Sequence, residues 1–214
     1  MPIFKSGKGL APKWCELEFF DIVDLKPGDT HTFKRMGKKE KMIVGEGKCI
    51  VSANGQEQEL EKGKMVDLVD RKAAPIKVVK VLEPTTLIRM AGRWGEQVGG
   101  SGLFPVWNAD KENPPNWGGP VTYKKTTGFD NHYHDCDEYW ILYRGRGTAV
   151  SEGKFYEVGP GDCVATGMGH HHDFPEVKEP VLAVFFETTM QGRKRPGHLW
   201  EHKDGPAEPQ PERV

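Results

Sequence analysis

Residues 128–145 read GFDNHYHDCDEYWILYRG, in which two closely spaced histidines precede an apolar run that begins with a glutamate. Side chains two positions apart on a strand lie on the same face, about 6.6 Å apart along the chain. The imidazoles of His132 and His134 can therefore converge on one point. If residues 135–137 form a hairpin connection, Glu138 lies beside His134 on the adjoining strand. A carboxylate then joins two imidazoles.

A second histidine cluster stands in residues 166–175, which read TGMGHHHDFP. It follows the strand candidate GPGDCVAT of residues 159–166, which could return across the same sheet and bring a further imidazole to the first two. Three nitrogens and one oxygen form a donor set that first-row transition metals accept. The spacing alone leaves open which of His170, His171 and His172 would bind.

The composition predicts an all-β protein. The chain has 214 residues, of which 26 are Gly and 16 are Pro, too many turn-forming residues for a helical bundle. Short β-rich runs such as KCIVSA, YWILY and PVLAVFFE alternate with Gly, Pro, Asn and Asp. These features favour short strands joined by tight turns and nearly exclude long helices.

The strand pattern occurs twice. Glu40, Gly47, Gly55 and Gly63 match Glu138, Gly145, Gly153 and Gly161 at one constant offset of 98 residues. Glycines at this spacing supply the positive φ values that hairpin turns need, so the offset indicates one β-fold built twice. The glycine-rich stretch 91–102 is the expected boundary between the copies.

The charge and the cysteine content limit the classes of partner that the protein is expected to bind. Thirty basic and 31 acidic residues give a net charge of -1, which provides no reason to bind nucleic acid or an anionic membrane. No signal peptide or membrane helix is evident, and we expect a soluble cytoplasmic protein. The four cysteines are dispersed and are expected to be reduced thiols. The remaining partner class is a small molecule.

Residues 120–188 resemble the cupin superfamily. Its first motif is matched by Gly128, His132, His134, Glu138 and Gly145, although three residues instead of five precede the first histidine. Its second motif is matched by Gly161, Gly169 and His172, with Gly167 in place of a proline and Glu176 in place of an asparagine. The resemblance selects His172 from the triplet. It implies one divalent first-row transition metal per chain, Fe, Mn, Ni, Co or Zn, bound by His132, His134, Glu138 and His172.

By the same offset the chain resembles a bicupin, with two tandem cupin-type jelly-roll barrels. The positions that match the metal-binding histidines in the first copy are Lys34, Met36 and, more loosely, Ala74. The first copy is therefore expected to have lost its metal, and its Glu40 is expected on the surface or in a hairpin. The predicted domains are a degenerate barrel over residues 15–92, a metal-binding barrel over residues 103–190, and a polar tail over residues 191–214. The tail is either disordered or an arm laid across a neighbouring molecule, so a homodimer stays open.

Strand alternation places Trp140 on the same side as Glu138, and Phe174 on the same side as His172. We expect these two aromatic residues to form an apolar wall that a substrate contacts, with His170 at the mouth of the pocket. The ligands alone do not select a reaction, but the cupin resemblance implies enzymes on sugars and sugar acids, and we expect isomerase-type or tautomerase-type proton transfer on such a substrate. A cupin dioxygenase and a non-catalytic, metal-dependent binding protein are the alternatives.

Overall fold

The computed structural model of the chain describes residues 1–8, 11–69, 74–109 and 118–214. The chain divides into two compact units, which we call the N-terminal unit (Lys5–Trp94) and the C-terminal unit (Gly95–Val214 together with Met1–Phe4). The predicted all-β fold class is confirmed, because the regular structure of the described residues consists of antiparallel strands and one four-residue helix. The domain limits 15–92, 103–190 and 191–214 stay a prediction.

Strands β2 to β9 belong to the N-terminal unit: β2 (Leu17–Leu25), β3 (His31–Thr32), β4 (Lys39–Glu46), β5 (Lys48–Ala53), β6 (Gln56–Glu61), β7 (Met65–Leu68), β8 (Lys77–Val81) and β9 (Thr85–Gly92). The other elements are β1 (Ile3–Lys5), β10 (Val98–Val106), β11 (Glu138–Ser151), β12 (Lys154–Val158), β13 (Asp162–Thr166), β14 (His172–Thr189) and α1 (Glu201–Asp204). All residues of β1 except Lys5 lie in the C-terminal unit.

The N-terminal unit is a sandwich of two four-stranded sheets, ordered β2-β9-β4-β7 and β3-β8-β5-β6. Alternate residues of β5 are buried, as expected for a strand with one face on a core. Side chains of both sheets meet in one apolar cluster that includes Met42, Val51, Leu68 and Leu87. This cluster fills the space where a pocket between the sheets would otherwise lie.

The C-terminal unit has a sheet ordered β1-β13-β11-β14-β10, with β12 paired to β11. Strands β11 and β14 are 14 and 18 residues long, and their pairing contains several register shifts. Such shifts bend a strand, so β11 and β14 can each contribute side chains to both sides of the core of the unit. Trp140, Leu142 and Phe174 lie together in its core, as alternation predicts.

The two units repeat the same pairing scheme. The order β10-β14-β11-β13 repeats the order β2-β9-β4-β7. Glu40 pairs with Leu68 in β7, and Glu138 pairs with Thr166 in β13, so both partners are shifted by the predicted 98 residues. The offset in the sequence therefore corresponds to a repeat in the register of the strands.

Two segments differ from the sequence-based expectation. Strand β10 begins at Val98, inside the glycine-rich stretch expected as a boundary, because its glycines let it pack closely on β14. The tail, expected to be disordered or an arm on a neighbouring molecule, packs on its own unit. Leu199 exchanges two backbone hydrogen bonds with Tyr133, at 3.0 and 3.1 Å, and Arg195 pairs with Asp135. The charges of the tail are thus matched by aspartates of its own unit.

All four cysteines are buried free thiols, as expected. Within the described ranges, no helix is long and apolar enough to cross a membrane.

Candidate metal centre

Four predicted ligands come together in the C-terminal unit. His132, His134, Glu138 and His172 are buried, and one potential ligand atom from each lies within 4.8 Å of the others. The Oε2 atom of Glu138 lies 2.7 Å from Nε2 of His172, 3.4 Å from Nε2 of His134 and 3.9 Å from Nε2 of His132. The imidazoles thus converge on one carboxylate oxygen.

Three elements supply these side chains. His132 and His134 lie in the extended segment before the turn at residues 135–137, and His132 forms a bridge with His172 at the start of β14. Glu138 is the first residue of β11, directly after the turn. The turn brings the carboxylate back to the histidines, as the hairpin argument predicts.

The backbone fixes the tautomer of each imidazole. The Nδ1 atoms of His132, His134 and His172 lie 2.9, 3.0 and 2.8 Å from the carbonyl oxygens of Asp130, Gly197 and His170. A carbonyl only accepts, so each Nδ1 must carry the proton and donate it. The Nε2 atoms of His132 and His134 are buried without a hydrogen-bond partner. This arrangement turns all three Nε2 atoms inward, and it fits a metal ion that displaces any proton from them.

When no metal is bound, the surroundings shift the pKa values of His132, His172 and Glu138 in different directions. Burial disfavours the charged form of His132, but Asp130 and Glu138 outweigh it and raise its pKa to about 10. Burial and the charge of His132 lower the pKa of His172 to about 4. Burial would raise the pKa of Glu138, but the three histidines hold it well below its usual value. Glu138 is therefore a carboxylate, and His132 carries the extra proton.

Aromatic rings pack beside this cluster. The Trp140 ring lies 5.2 Å from the His172 ring, 5.1 Å from Phe129 and 6.1 Å from Phe174. Phe104 adds a ring 5.8 Å from Trp140. Trp140 and Phe174 are buried, whereas Phe104 and Phe129 are partly exposed. The wall expected from alternation exists, and the role of Trp140 and Phe174 in substrate binding stays a prediction.

The other two histidines of the triplet point elsewhere. Nε2 of His170 donates to the carbonyl of Gln210 at 2.9 Å, and its Nδ1 lies 3.5 Å from Glu152. The Glu152 carboxylate raises the pKa of His170. His171 is partly exposed and lies 3.9 Å from Glu152. A role of His170 in contacting substrate stays a prediction.

Sequence reasoning missed His198. Its ring lies flat on the His132 ring, with centroids 3.8 Å apart and an angle of 5° between the planes. Its Nδ1 atom is 2.8 Å from an Asp130 oxygen that also accepts from Trp200 at 3.1 Å. His198 is 66 residues from His132, and no motif spacing links the two. The sequence signal was the segment HLWEH of residues 198–202, which places two histidines and a tryptophan in a polar tail.

Glu187 was also missed, because it lies in the apolar run of β14. It pairs with Glu138 across the strands, and its Oε1 atom lies 3.9 Å from Nδ1 of His134. Burial raises its pKa, and the neighbouring Glu138 charge adds to this effect. A side-chain carbon at Gly99 would overlap the Glu187 carboxylate. Because residue 99 is glycine and has no side chain, there is space for the Glu187 carboxylate.

The matching positions of the N-terminal unit form no such centre. Lys34, Met36 and Ala74 are exposed, and no cluster of metal-binding side chains occurs among the residues described for this unit. Glu40 is buried, contrary to the expectation that it lies on the surface. It accepts the backbone N–H of Met36 at 2.6 Å, a local bond that compensates for its burial.

No protein-family model matches the chain. It is 44% identical over 215 residues to the "Uncharacterized protein y4oW" of Sinorhizobium fredii (strain NBRC 101917 / NGR234), covering 100% of this chain and 97% of that protein.

Three solved structures resemble the fold. YhaK from Escherichia coli has a TM-score of 0.55 at 12% identity, covering 88% of this chain and 93% of that chain. AerE from Microcystis aeruginosa has a TM-score of 0.53 at 11% identity, covering 79% and 86%. An oxalate decarboxylase from Bacillus subtilis has a TM-score of 0.52 at 11% identity, covering 85% and 71%. At these identities the similarity is one of fold.

Proposed function

The chain belongs to the family of the Sinorhizobium fredii protein y4oW and has the cupin fold, and we propose that it is a metal-dependent enzyme acting on a small oxygenated substrate. Within the bicupin arrangement, we assign one divalent first-row transition metal to the C-terminal unit and none to the N-terminal unit. The proposed ligands are His132, His134, Glu138 and His172.

One observation carries this proposal. Three imidazoles are fixed by backbone carbonyls in the tautomer that leaves Nε2 free, and all three Nε2 atoms face the same carboxylate oxygen. A cluster whose only purpose was stability would gain by pairing its buried polar atoms. Two unpaired buried nitrogens are costly unless they bind something, and a metal ion satisfies them.

The reaction that we assign is proton transfer of the isomerase or tautomerase type on a sugar or sugar acid. A bound metal would act there as a Lewis acid that polarises a carbonyl or hydroxyl oxygen. Glu187 is a buried carboxyl group next to the ligands, with Oε1 3.9 Å from Nδ1 of His134, and its carboxyl oxygen would take or return the proton. Burial raises the pKa of Glu187 above its usual value, so this carboxyl group holds a proton more readily than an exposed glutamate does.

Trp140, Phe174 and His170 are the proposed substrate-binding residues. The partly exposed Phe129 and Phe104 continue the aromatic wall from Trp140, so a substrate would meet Trp140 from that side. The aromatic rings would supply contact area for the substrate, while the metal would orient it. The small-molecule partner and a cytoplasmic location complete the proposal, with no role for nucleic acid or membranes.

A cupin dioxygenase is the second candidate. The observation that favours it is the buried, aromatic surrounding of the cluster, since the Trp140 ring lies 5.2 Å from the ring of the proposed ligand His172. Such a pocket would protect reactive intermediates from water. A non-catalytic, metal-dependent binding protein is the third candidate.

Deuterium exchange separates the three candidates. Protein loaded with its native metal, identified by elemental analysis, is incubated with sugars and sugar acids deuterated next to the carbonyl, while dioxygen uptake is followed in parallel. Loss of the label to solvent supports the isomerase-type assignment. Dioxygen uptake without exchange replaces it with the dioxygenase. Ligand binding with neither signal assigns a binding protein.

A further inference from the structure

The C-terminal tail pairs with each of the three aspartates that flank the metal-binding histidines. Asp130 accepts from His198 and Trp200, at 2.8 and 3.1 Å. Asp135 forms a two-pronged pair with Arg195, with N···O distances of 2.8 and 2.9 Å. Asp137, which is buried, pairs with Arg213 at 2.7 Å. Polar contacts of the tail therefore concentrate at the metal-binding segment.

The tail also supplies the hydrogen-bond acceptor for one of the three metal-binding imidazoles. His132 and His172 donate to carbonyls two residues away from them, Asp130 and His170. His134 instead donates to the carbonyl of Gly197, 63 residues away, at 3.0 Å. Among the three imidazoles, His134 thus depends on the tail for its tautomer and for the orientation of its ring.

Backbone pairing and stacking hold this carbonyl in place. Leu199 exchanges two backbone hydrogen bonds with Tyr133, the residue between His132 and His134. His198 stacks on His132, and Arg195 anchors the segment before Gly197 through Asp135 and the carbonyl of Asp204, the latter at 2.8 Å. The segment is therefore bound on both sides of the Gly197 carbonyl.

We propose that the segment Arg195–Trp200, which we call the strap, is a positioning element of the metal centre that fixes His134 through the Gly197 carbonyl and His132 through the His198 ring. The inference rests on the ligand set proposed above. It assigns to the tail a role in metal affinity, and Arg195, Gly197 and His198 act on the metal only through the two ligand histidines.

Gly197 allows a selective test. Its φ is +79°, and a side-chain carbon there would meet no atom within 4 Å. Valine is strained in this backbone conformation, whereas asparagine adopts it several-fold more readily than most residues. Gly197→Val should therefore move the carbonyl, and Gly197→Asn should restore it. Gly7 in the N-terminal unit has φ +70° and equally open surroundings, so Gly7→Val is the matched control.

The experiment uses full-length metal-free protein and Co²⁺ alone as the probe. Affinity is measured by competition with a chelator, and the visible absorption of bound Co²⁺ reports on the geometry of its ligands. Removing a partner that orients a metal ligand typically costs 10–100-fold in affinity. We expect such a loss and a changed spectrum for Gly197→Val, recovery in Gly197→Asn, and no change in Gly7→Val.

Arg195→Ala provides a second route if Gly197→Val does not fold. It should weaken Co²⁺ binding, whereas Arg193→Ala, which removes an exposed pair with Glu208, should not. Folded Gly197→Val and Arg195→Ala proteins with wild-type affinity and spectrum would overturn the strap inference alone. A wild-type chain that binds no Co²⁺ would overturn the ligand set and the proposed function.

Discussion

Gly145 and Gly47 occupy the same place in the two units. Both have φ +76°, and at both a side-chain carbon would overlap the carbonyl oxygen of a proline, Pro180 for Gly145 and Pro84 for Gly47. Gly47 lies between β4 and β5, whereas Gly145 lies within β11, where the pairing of β11 with β14 shifts register. The duplication is therefore visible in backbone geometry as well as in register.

The first prediction compares two glycines of the C-terminal unit. Gly145→Ala combines about 1–2 kcal/mol of backbone strain with an overlap that typically costs about 1–3 kcal/mol. Gly153→Ala carries only the strain, because Gly153 has φ +73° but open surroundings. Urea unfolding should therefore show a larger loss of stability for Gly145→Ala. Equal losses would contradict the close approach at Gly145.

The fold was predictable because glycines and apolar residues leave a periodic pattern. The β-class and the offset of 98 residues follow from spacing that turn geometry itself requires. The beginning of β10 at Val98 was not predictable. A run of glycines indicates a linker, unless it is known which strand packs against them. The large side chains of β14 that fill this space, such as Phe185, are more than 80 residues away.

The clustering of His132, His134, Glu138 and His172 was predictable because these residues stand in two local motifs, while their role as ligands stays a prediction. The spacing left three histidines open in the second motif, and the cupin resemblance selected His172. His198 and Glu187 were not predictable, because neither belongs to a motif and both reach the centre only through tertiary pairing. The burial of Glu40 escaped prediction for the same reason, since the bond to Met36 depends on the conformation of the intervening turn.

A second prediction concerns stoichiometry. We expect one metal ion per chain and no tight binding in His132→Ala, because this change removes one of three convergent imidazoles. Lys34→Ala should leave the stoichiometry at one, since Lys34 occupies the matching position of the N-terminal unit but is exposed. Elemental analysis after dialysis gives the ratio. Two ions per chain, or metal retained by His132→Ala, would refute the assignment.

A third prediction follows from the protonation of the metal-free centre. The pKa of His132 is raised to about 10, so His132 carries an extra proton at neutral pH. Metal binding must expel this proton from Nε2, because only the neutral imidazole binds. Affinity should therefore rise about tenfold per pH unit between pH 7 and 9, and fall as the solution is acidified.

Calorimetry in two buffers of different ionisation enthalpy measures the number of protons released on binding. The expected release from His132 is about one proton per metal ion at pH 8. Asp130→Asn should reduce this release, because it removes a charge that raises the pKa of His132. Affinity that does not vary with pH would count against His132 as a ligand.

The last prediction concerns the carboxyl group assigned to proton transfer. Glu187→Gln should retain the metal, because Glu187 is not among the four ligands, but label exchange should slow by about 10²–10⁴-fold, the usual contribution of a general acid or base.

Gly99→Ala should slow exchange without removing the carboxyl group, because the new side-chain carbon would displace Glu187. Gly100→Ala is the matched control, since its added carbon would lie 3.6 Å from Phe185 and 3.8 Å from Glu187, both ordinary contacts. Exchange rates and metal content measured for all three variants test the assignment. If Glu187→Gln exchanges at the wild-type rate, another group moves the proton; if Gly99→Ala and Gly100→Ala behave alike, the position of the Glu187 carboxylate does not limit the reaction.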